Sequence, residues 1–357
     1  MIEGVHSAFL SDVLTYRQIY VERAKTALHA EYDKVTLAVL AAVLQALAKH
    51  RVTRFDRTNM RTLTLVVSDV LKEFDIASRT YTKHITDWLV RYTRDETVFF
   101  ATSMRKAIVL PDEGTEADEQ PAEAAPVWPL IAGAIVGATG LTMKQTLDKL
   151  LKDQRAMLRQ TIQRARALNM TTEQLLAVLE GTASRLRKDG LLTRMRNFAA
   201  TTVDTIVQFG MSASRLQAMQ RYMDYVIGYT WVSVLDARTS DICRSLSGQR
   251  FRFGQGPTPP MHLRCRSHIE PIFSLNTMFR EGFGKAFTAG ETYYQWLKRQ
   301  TADLQDDVLG PTKGRLFRSG GLTADQFAVT VVDRKFQPLT LAELRKKNPD
   351  AFEKAKL

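Results

Sequence analysis

The chain has 357 residues, long enough for two or three domains and a substantial core. Hydrophobic residues make up 45% and charged residues 25%, an ordinary globular balance that excludes general disorder. Lys and Arg number 50 against 38 Asp and Glu, and the resulting formal net charge of +12 favours a polyanionic neighbour, either nucleic acid or a strongly acidic protein surface.

The opening residues, MIEGVHSAFLSD, are too polar for a secretory signal, and the low cysteine content suits a reduced, intracellular protein. From residue 11 to about 110 the pattern is helical. The run LAVLAAVLQALA (37–48) is apolar on nearly all sides and must be covered by other helices. Asp56 or Thr58 is placed to cap a second helix through Leu65, Val66, Val70, Leu71 and Phe74, and Ser78 to cap a third through Ile85, Leu89 and Tyr92. The reading is a helical N-terminal domain over 1–110, a bundle or hairpin. His6, His29, His50 and His84 are scattered through it, and each reads as a surface or interhelix histidine rather than a ligand.

Residues 111–129 break the pattern. PDEGTEADEQPAEAAP is acidic, rich in Pro and Ala and without an apolar period, as expected of a solvated linker. The stretch that follows, PVWPLIAGAIVGATGLTM (126–143), is the most apolar of the chain and contains the spacing Gly133-x-x-x-Gly137. Its uncharged run of about seventeen residues, broken by glycines and flanked by proline, lies at the lower edge of a membrane span. A buried helix or a loop into the next helix is the expectation, with transient membrane contact as the rival.

Residues 130–230 form a basic helical region. Between 144 and 226 fourteen Lys and Arg face seven acids, and Arg155, Arg159 and Arg166 fall within a stripe at helical spacing. A short helix, TEQLLAVLEG (172–181), has a capping start and a glycine stop. A second basic run, with Arg185, Arg187, Lys188, Arg194 and Arg196, leads into a long helix through Phe198, Val203, Ile206 and Val207. These eight residues are the candidates for contact with a phosphate backbone, which is salt-sensitive and indifferent to base sequence. No DNA-reading motif accompanies them.

Chemistry concentrates in residues 231–271, WVSVLDARTSDICRSLSGQRFRFGQGPTPPMHLRCRSHIEP, which hold both cysteines, Cys243 and Cys265, with His262 and His268. The expected order is a β-type run (231–235), a turn at Asp236 to Thr239, Cys243 leading a short helix, a turn at Gly248, a hairpin arm (249–253) and a Gly/Pro-rich loop before the His/Cys cluster. Three readings fit Cys243, His262, Cys265 and His268: zinc ligands, with Asp236 as an alternative to His268; two buried reduced cysteines with His262 hydrogen-bonded in the loop; or a disulfide. Six arginines interleave the stretch, and Arg238 suits an ion pair with Asp236 or Asp241 that holds the turn. A Cys/His pair can also make an activated thiolate, but no third member or oxyanion loop is legible.

Trp231 with Asp236-x-Arg238-Thr239, Gly248, and the close Pro259-Pro260-x-His262-x-x-Cys265-Arg266 resemble the C-terminal domain of the phage Mu F-like and SPP1-type minor head proteins, a family of phage head morphogenesis proteins. Ser240 stands where many members have the first cysteine of a Cys-x-x-Cys pair. The resemblance is strong over about forty residues and continues weakly through ETYYQWLKRQ (291–300) and LGPTKGRLFRSGGLTADQF (309–327), with a Mu F-like module placed at 231–310. A strand-like run (328–332) and a helix capped at Thr340 complete a C-terminal tail, 311–357.

The fold expected is mainly α: an N-terminal helical bundle, long basic helices and a small α+β C-terminal module. What the resemblance implies is a non-enzymatic virion protein, present in few copies and oligomeric at the portal vertex inside the head. Its implied partners are the portal protein, capsid or scaffold proteins, and double-stranded DNA bound without sequence preference. Zinc is the one cofactor the residues suggest. The alternatives are an ejected protein forming part of a DNA delivery channel, and a head-carried Cys/His enzyme such as a nuclease. With no Gly-x-x-x-x-Gly-Lys loop and no His-Glu-x-x-His, a packaging motor is a poor reading.

Overall fold

The structure, a computed structural model, describes residues 4–55, 60–110, 127–279, 286–287, 293–323, 326 and 339–357. The acidic linker over 111–126, the capping positions Asp56 and Thr58, and the strand-like run 328–332 lie outside the described residues. The protein is mainly α with a small α+β part. It divides into two compact units, one made of Met1–Arg17, Asp95–Val127 and Met211–Leu357, the other of Gln18–Arg94 and Trp128–Gly210.

Two long helices, α1 (Ala8–Lys49) and α2 (Met60–Ala107), dominate the N-terminal third. Neither contains a glycine or proline, so nothing in the sequence interrupts the backbone hydrogen-bond ladder. This corrects the expected division at Ser78: that serine is buried in the interior of α2 and caps no helix.

In the second unit the chain continues through α3 (Trp128–Gly133), the antiparallel pair β2 (Ile135–Val136) and β3 (Leu141–Thr142), α4 (Met143–Ala167), α5 (Thr172–Glu180), and α6 (Leu191–Gln220) up to Gly210. Within the apolar stretch, residues 128–142 are therefore a short helix and a tight hairpin leading into α4. No described helix is long and apolar enough to cross a membrane. Thr142 starts α4 and Thr171 starts α5 with reciprocal capping boxes, closed by Gln145 and Gln174. Leu63, Val66, Val70, Phe74, Tyr81, Ile85 and Leu89 of α2, at steps of three, four and seven, are buried with Leu28, Tyr32, Val35 and Val39 of α1 and Leu147, Leu158 and Ile162 of α4. A buried polar relay crosses this core: Tyr32 Oη donates to Gln154, whose Nε2 donates to the Met195 carbonyl at 2.9 Å. His29 pairs with Asp204 at 2.6 Å and His50 with Asp69 at 2.9 Å, while His84 is exposed, as expected of surface and interhelix histidines.

In the first unit a three-stranded antiparallel sheet runs in the order β5 (Arg250–Phe251), β4 (Val226–Val232), β6 (His268–Phe273). Strand β4 begins before the expected 231 and pairs Val232 with His268 and Thr230 with Glu270. A two-residue strand β1 (His6–Ser7) pairs with β7 (Ala286–Phe287), and Val5 bridges to Phe273. His6 is thus neither a surface nor an interhelix residue: it is buried on a strand, with Nε2 3.2 Å from Thr230 Oγ1. Leu10, Leu14, Phe100, Met104, Ile108, Met219, Tyr229, Ile269 and Phe273 form the core beneath the sheet. Glu96, fully buried, accepts from Arg215 at 2.8 Å and from Arg17 at 2.6 Å.

The C-terminal part of this unit adds α8 (Tyr293–Lys298), α9 (Ala302–Leu309), α10 (Pro311–Ser319), α11 (Leu341–Lys347) and α12 (Pro349–Lys354). Leu316, Leu322, Leu339, Leu344 and Phe352 make a small core of their own. Thr340 caps α11 as expected, in a capping box with Glu343.

Candidate metal centre

Strand β4 delivers Trp231 into the interior, where its indole Nε1 donates to Ser233 Oγ at 3.0 Å and Ser233 donates onward to the Cys243 carbonyl at 2.6 Å. The turn that follows is locked by Asp236. Its carboxylate accepts the backbone N–H of Arg238 at 2.9 Å and both guanidinium nitrogens of Arg266 at 2.8 and 2.7 Å. A bidentate fork of this kind fixes direction as well as charge. The Arg266 hydrogen bonds hold the Asp236 carboxyl down at about 2, against an ordinary 3.8. Arg238 also reaches Asp236, at 3.3 Å, as the sequence predicts.

Ser240 then caps α7 (Asp241–Leu246), its hydroxyl accepting from the Cys243 N–H at 3.3 Å. Across the loop, Arg264 adopts a left-handed backbone conformation (φ 57°) beside Cys265. The result is a convergence of donors. Cys243 Sγ lies 3.1 Å from His262 Nε2 and 3.6 Å from Cys265 Sγ, and all three atoms fall within 4.8 Å of one another. Both thiols are free and buried, packed with Trp231 and Leu246. His262 Nδ1 lies 2.8 Å from the Leu263 carbonyl, a bond that assigns the proton to Nδ1 and leaves the Nε2 lone pair facing the sulfurs.

The sulfurs share charge unequally. The hydrogen bond from Cys243 and the proximity of His262 push the Cys265 thiol well below its ordinary range, whereas the same hydrogen bond and burial push Cys243 well above it. Burial draws His262 down, but the hydrogen bond and negative charge of Cys265 more than offset it, so the imidazole ends raised.

Of the four ligands named from the sequence, three meet. His268 sits on β6 and faces Glu270, with Nε2 to Oε1 at 3.4 Å. Asp236, the alternative, is committed to Arg266. Thiolate, imidazole and a backbone carbonyl behind the imidazole are the donor chemistry that zinc takes, so the three residues fit that ion. Burial of the thiols also fits simple packing, but packing alone does not require three donor atoms to converge.

The eight basic candidates lie in the other unit. Arg155, Arg159 and Arg166 are on α4, Arg185 is in a single 3-10 turn (Ala183–Arg185), Arg187 and Lys188 follow it, and Arg194 and Arg196 are on α6. Arg155 pairs with Asp75 at 3.0 Å, Arg187 with Glu180, and Arg196 with Asp33 at 2.5 Å. Arg166 is half-buried, while Arg159, Arg185, Lys188 and Arg194 are exposed. Lys72 and Arg79 of α2, which sequence reasoning did not single out, join Arg155 and Arg159 around a groove of about 610 Å³ floored by Leu63 and Val67. Their only sequence signal is a seven-residue spacing that returns both to one helix face.

Residues 129–270 match the model of a family described as Phage Mu protein F like protein. The chain carries a Mu F-like region. It runs from α3 to β6 and contains Cys243, His262, Cys265, His268 and all eight basic candidates. The Mu F-like match reaches back through the basic helices and ends at Glu270, so the segments after β6 that resemble the family lie outside it. It supports a phage head morphogenesis protein, and with it a place in the virion. No curated protein and no solved structure matches the chain.

Proposed function

We propose that this chain is a structural minor head protein that joins the assembling phage head at the portal vertex, where its exposed basic residues meet packaged double-stranded DNA without reading its sequence. The observation that carries the reading is the Mu F-like match over 129–270. Exposed Arg159, Arg185, Lys188 and Arg194 support the contact with DNA, since cations near a polyanion bind by releasing its counterions. In the same reading Cys243, His262 and Cys265 hold zinc as a structural pin. Strands β5 and β6 are joined by a loop-rich segment with little core of its own, the setting in which a bound metal contributes folding free energy.

Quantitative mass spectrometry of DNA-filled particles, and of the empty shells left after ejection, tests the placement. Equal amounts in both are expected of a permanent component of the vertex; loss from the empty shells would replace this reading with that of an ejected protein. A catalytic role is separated by Cys243→Ala and His262→Ala. A structural module loses folding or particle association, whereas an enzyme would still assemble and lose infectivity alone.

A further inference from the structure

A tetrahedral ion held by these three donors would have one position open, and a cleft lies beside two of them. Val234, Thr239, Ser240 and Ser267 line a cleft of about 20 Å³ against Cys243 and His262, and Arg238, Arg264 and Arg266 line it as well. That volume holds about one water-sized group, enough for a single ligating atom. Among the described residues no further His, Cys, Asp or Glu joins the group. Ser240 occupies the place from which a fourth protein ligand would come. It lies three residues before Cys243 at the start of α7, where a cysteine would make the Cys-x-x-Cys spacing of closed zinc sites. Its hydroxyl is instead spent on the Cys243 N–H.

We infer that a metal held by Cys243, His262 and Cys265 takes its fourth ligand from outside the chain, as an anionic oxygen donor, a carboxylate or a phosphate, admitted through the arginine-lined cleft. The inference rests on the metal reading. Three protein ligands and an exchangeable position are what distinguish an open zinc site from a closed one. Guanidinium groups match the planar carboxylate and the phosphate edge alike. Such a site senses whether an acidic group is docked against it, whereas a site of four cysteines, or of three cysteines and a histidine, is saturated by its own chain.

The test uses the full chain loaded with Co²⁺, read by its thiolate charge-transfer and d–d bands. One Co²⁺ per chain with thiolate bands is expected, and titration with acetate or with inorganic phosphate should shift the d–d bands saturably; the anion that does so identifies the source. Arg238→Ala should weaken that response and keep the metal. Ser240→Cys should add a third thiolate to the charge-transfer intensity, bind metal at least about tenfold more tightly, and abolish the anion response. A chain that binds Co²⁺ through thiolates but responds to neither anion overturns this inference and leaves the metal reading standing. Failure to bind Co²⁺ through thiolates overturns both.

Discussion

Glu96 is the acid on which two arginines of its unit depend. It is fully buried between Arg215, itself without exposure, and Arg17. Among the described residues Arg215 Nη1 and Nη2 have no hydrogen-bond partner, and its guanidinium lies over the Phe100 ring at 5.9 Å, so Glu96 carries most of its compensation. Removing one partner of a buried pair strands the other. Glu96→Ala should therefore cost about 3–5 kcal/mol in urea unfolding, more than an ordinary surface change. The second residue-scale expectation concerns Asp236. Its carboxyl titrates at about 2 in the folded protein against an ordinary 3.8. Because the folded value is depressed, the stabilisation is fully present above about pH 4 and is lost as pH falls towards 2. Melting curves between pH 5 and 2 should show that loss in the wild type and a smaller one in Asp236→Asn. An identical pH dependence in both would remove the Arg266 fork from the account.

Helix boundaries here are written by caps and breakers. Helices α1 and α2 run through 42 and 48 residues because neither contains glycine or proline. Where the chain turns, the signals are strong: Thr142 and Thr171 cap, and Gly181 (φ 92°) ends α5. Thr142→Ala should cost about 1 kcal/mol, the usual worth of an N-cap, measured by denaturant unfolding. Gly190 sits where the chain passes the end of α5, and a Cβ there would lie 2.4 Å from the Glu180 carbonyl. Backbone cannot yield as a side-chain tip does, so Gly190→Ala should cost more than the cap. A cost equal to or smaller than that of Thr142→Ala would show that this crossing relaxes freely.

At the scale of the molecule, charge is the handle. If the exposed basic residues meet DNA, the logarithm of the binding constant falls linearly with the logarithm of salt concentration, by about 0.9 for each phosphate neutralised. Replacing Arg159, Arg185, Lys188 and Arg194 by alanine should flatten that slope, and duplexes of unrelated sequence should bind alike. Arg155, Arg187 and Arg196 should contribute less to the slope, because their carboxylate partners Asp75, Glu180 and Asp33 already compensate them. Fluorescence anisotropy with short duplexes over a range of salt concentrations measures both. A slope unchanged in the fourfold variant would sink the DNA contact.

The sequence by itself determined the mainly helical class, the turn at Asp236, the cap at Thr340, and the concentration of Cys243, His262, Cys265 and His268 in one stretch. These depend on residues close in the chain, or on periodicities that repeat within one element. Tertiary structure decided the rest. His262 and His268 are equivalent as zinc ligands on paper; the pairing of β4 with β6 sets His268 opposite Val232 and beside Glu270, while the loop turns His262 onto the sulfurs. Burial of His6 on a strand depends on β1 reaching a sheet more than two hundred residues away in sequence. Which arginines are neutralised by Asp33, Asp75 and Glu180 was equally illegible, because an ion pair is made by two side chains whose separation is set by packing between elements rather than by any pattern along one.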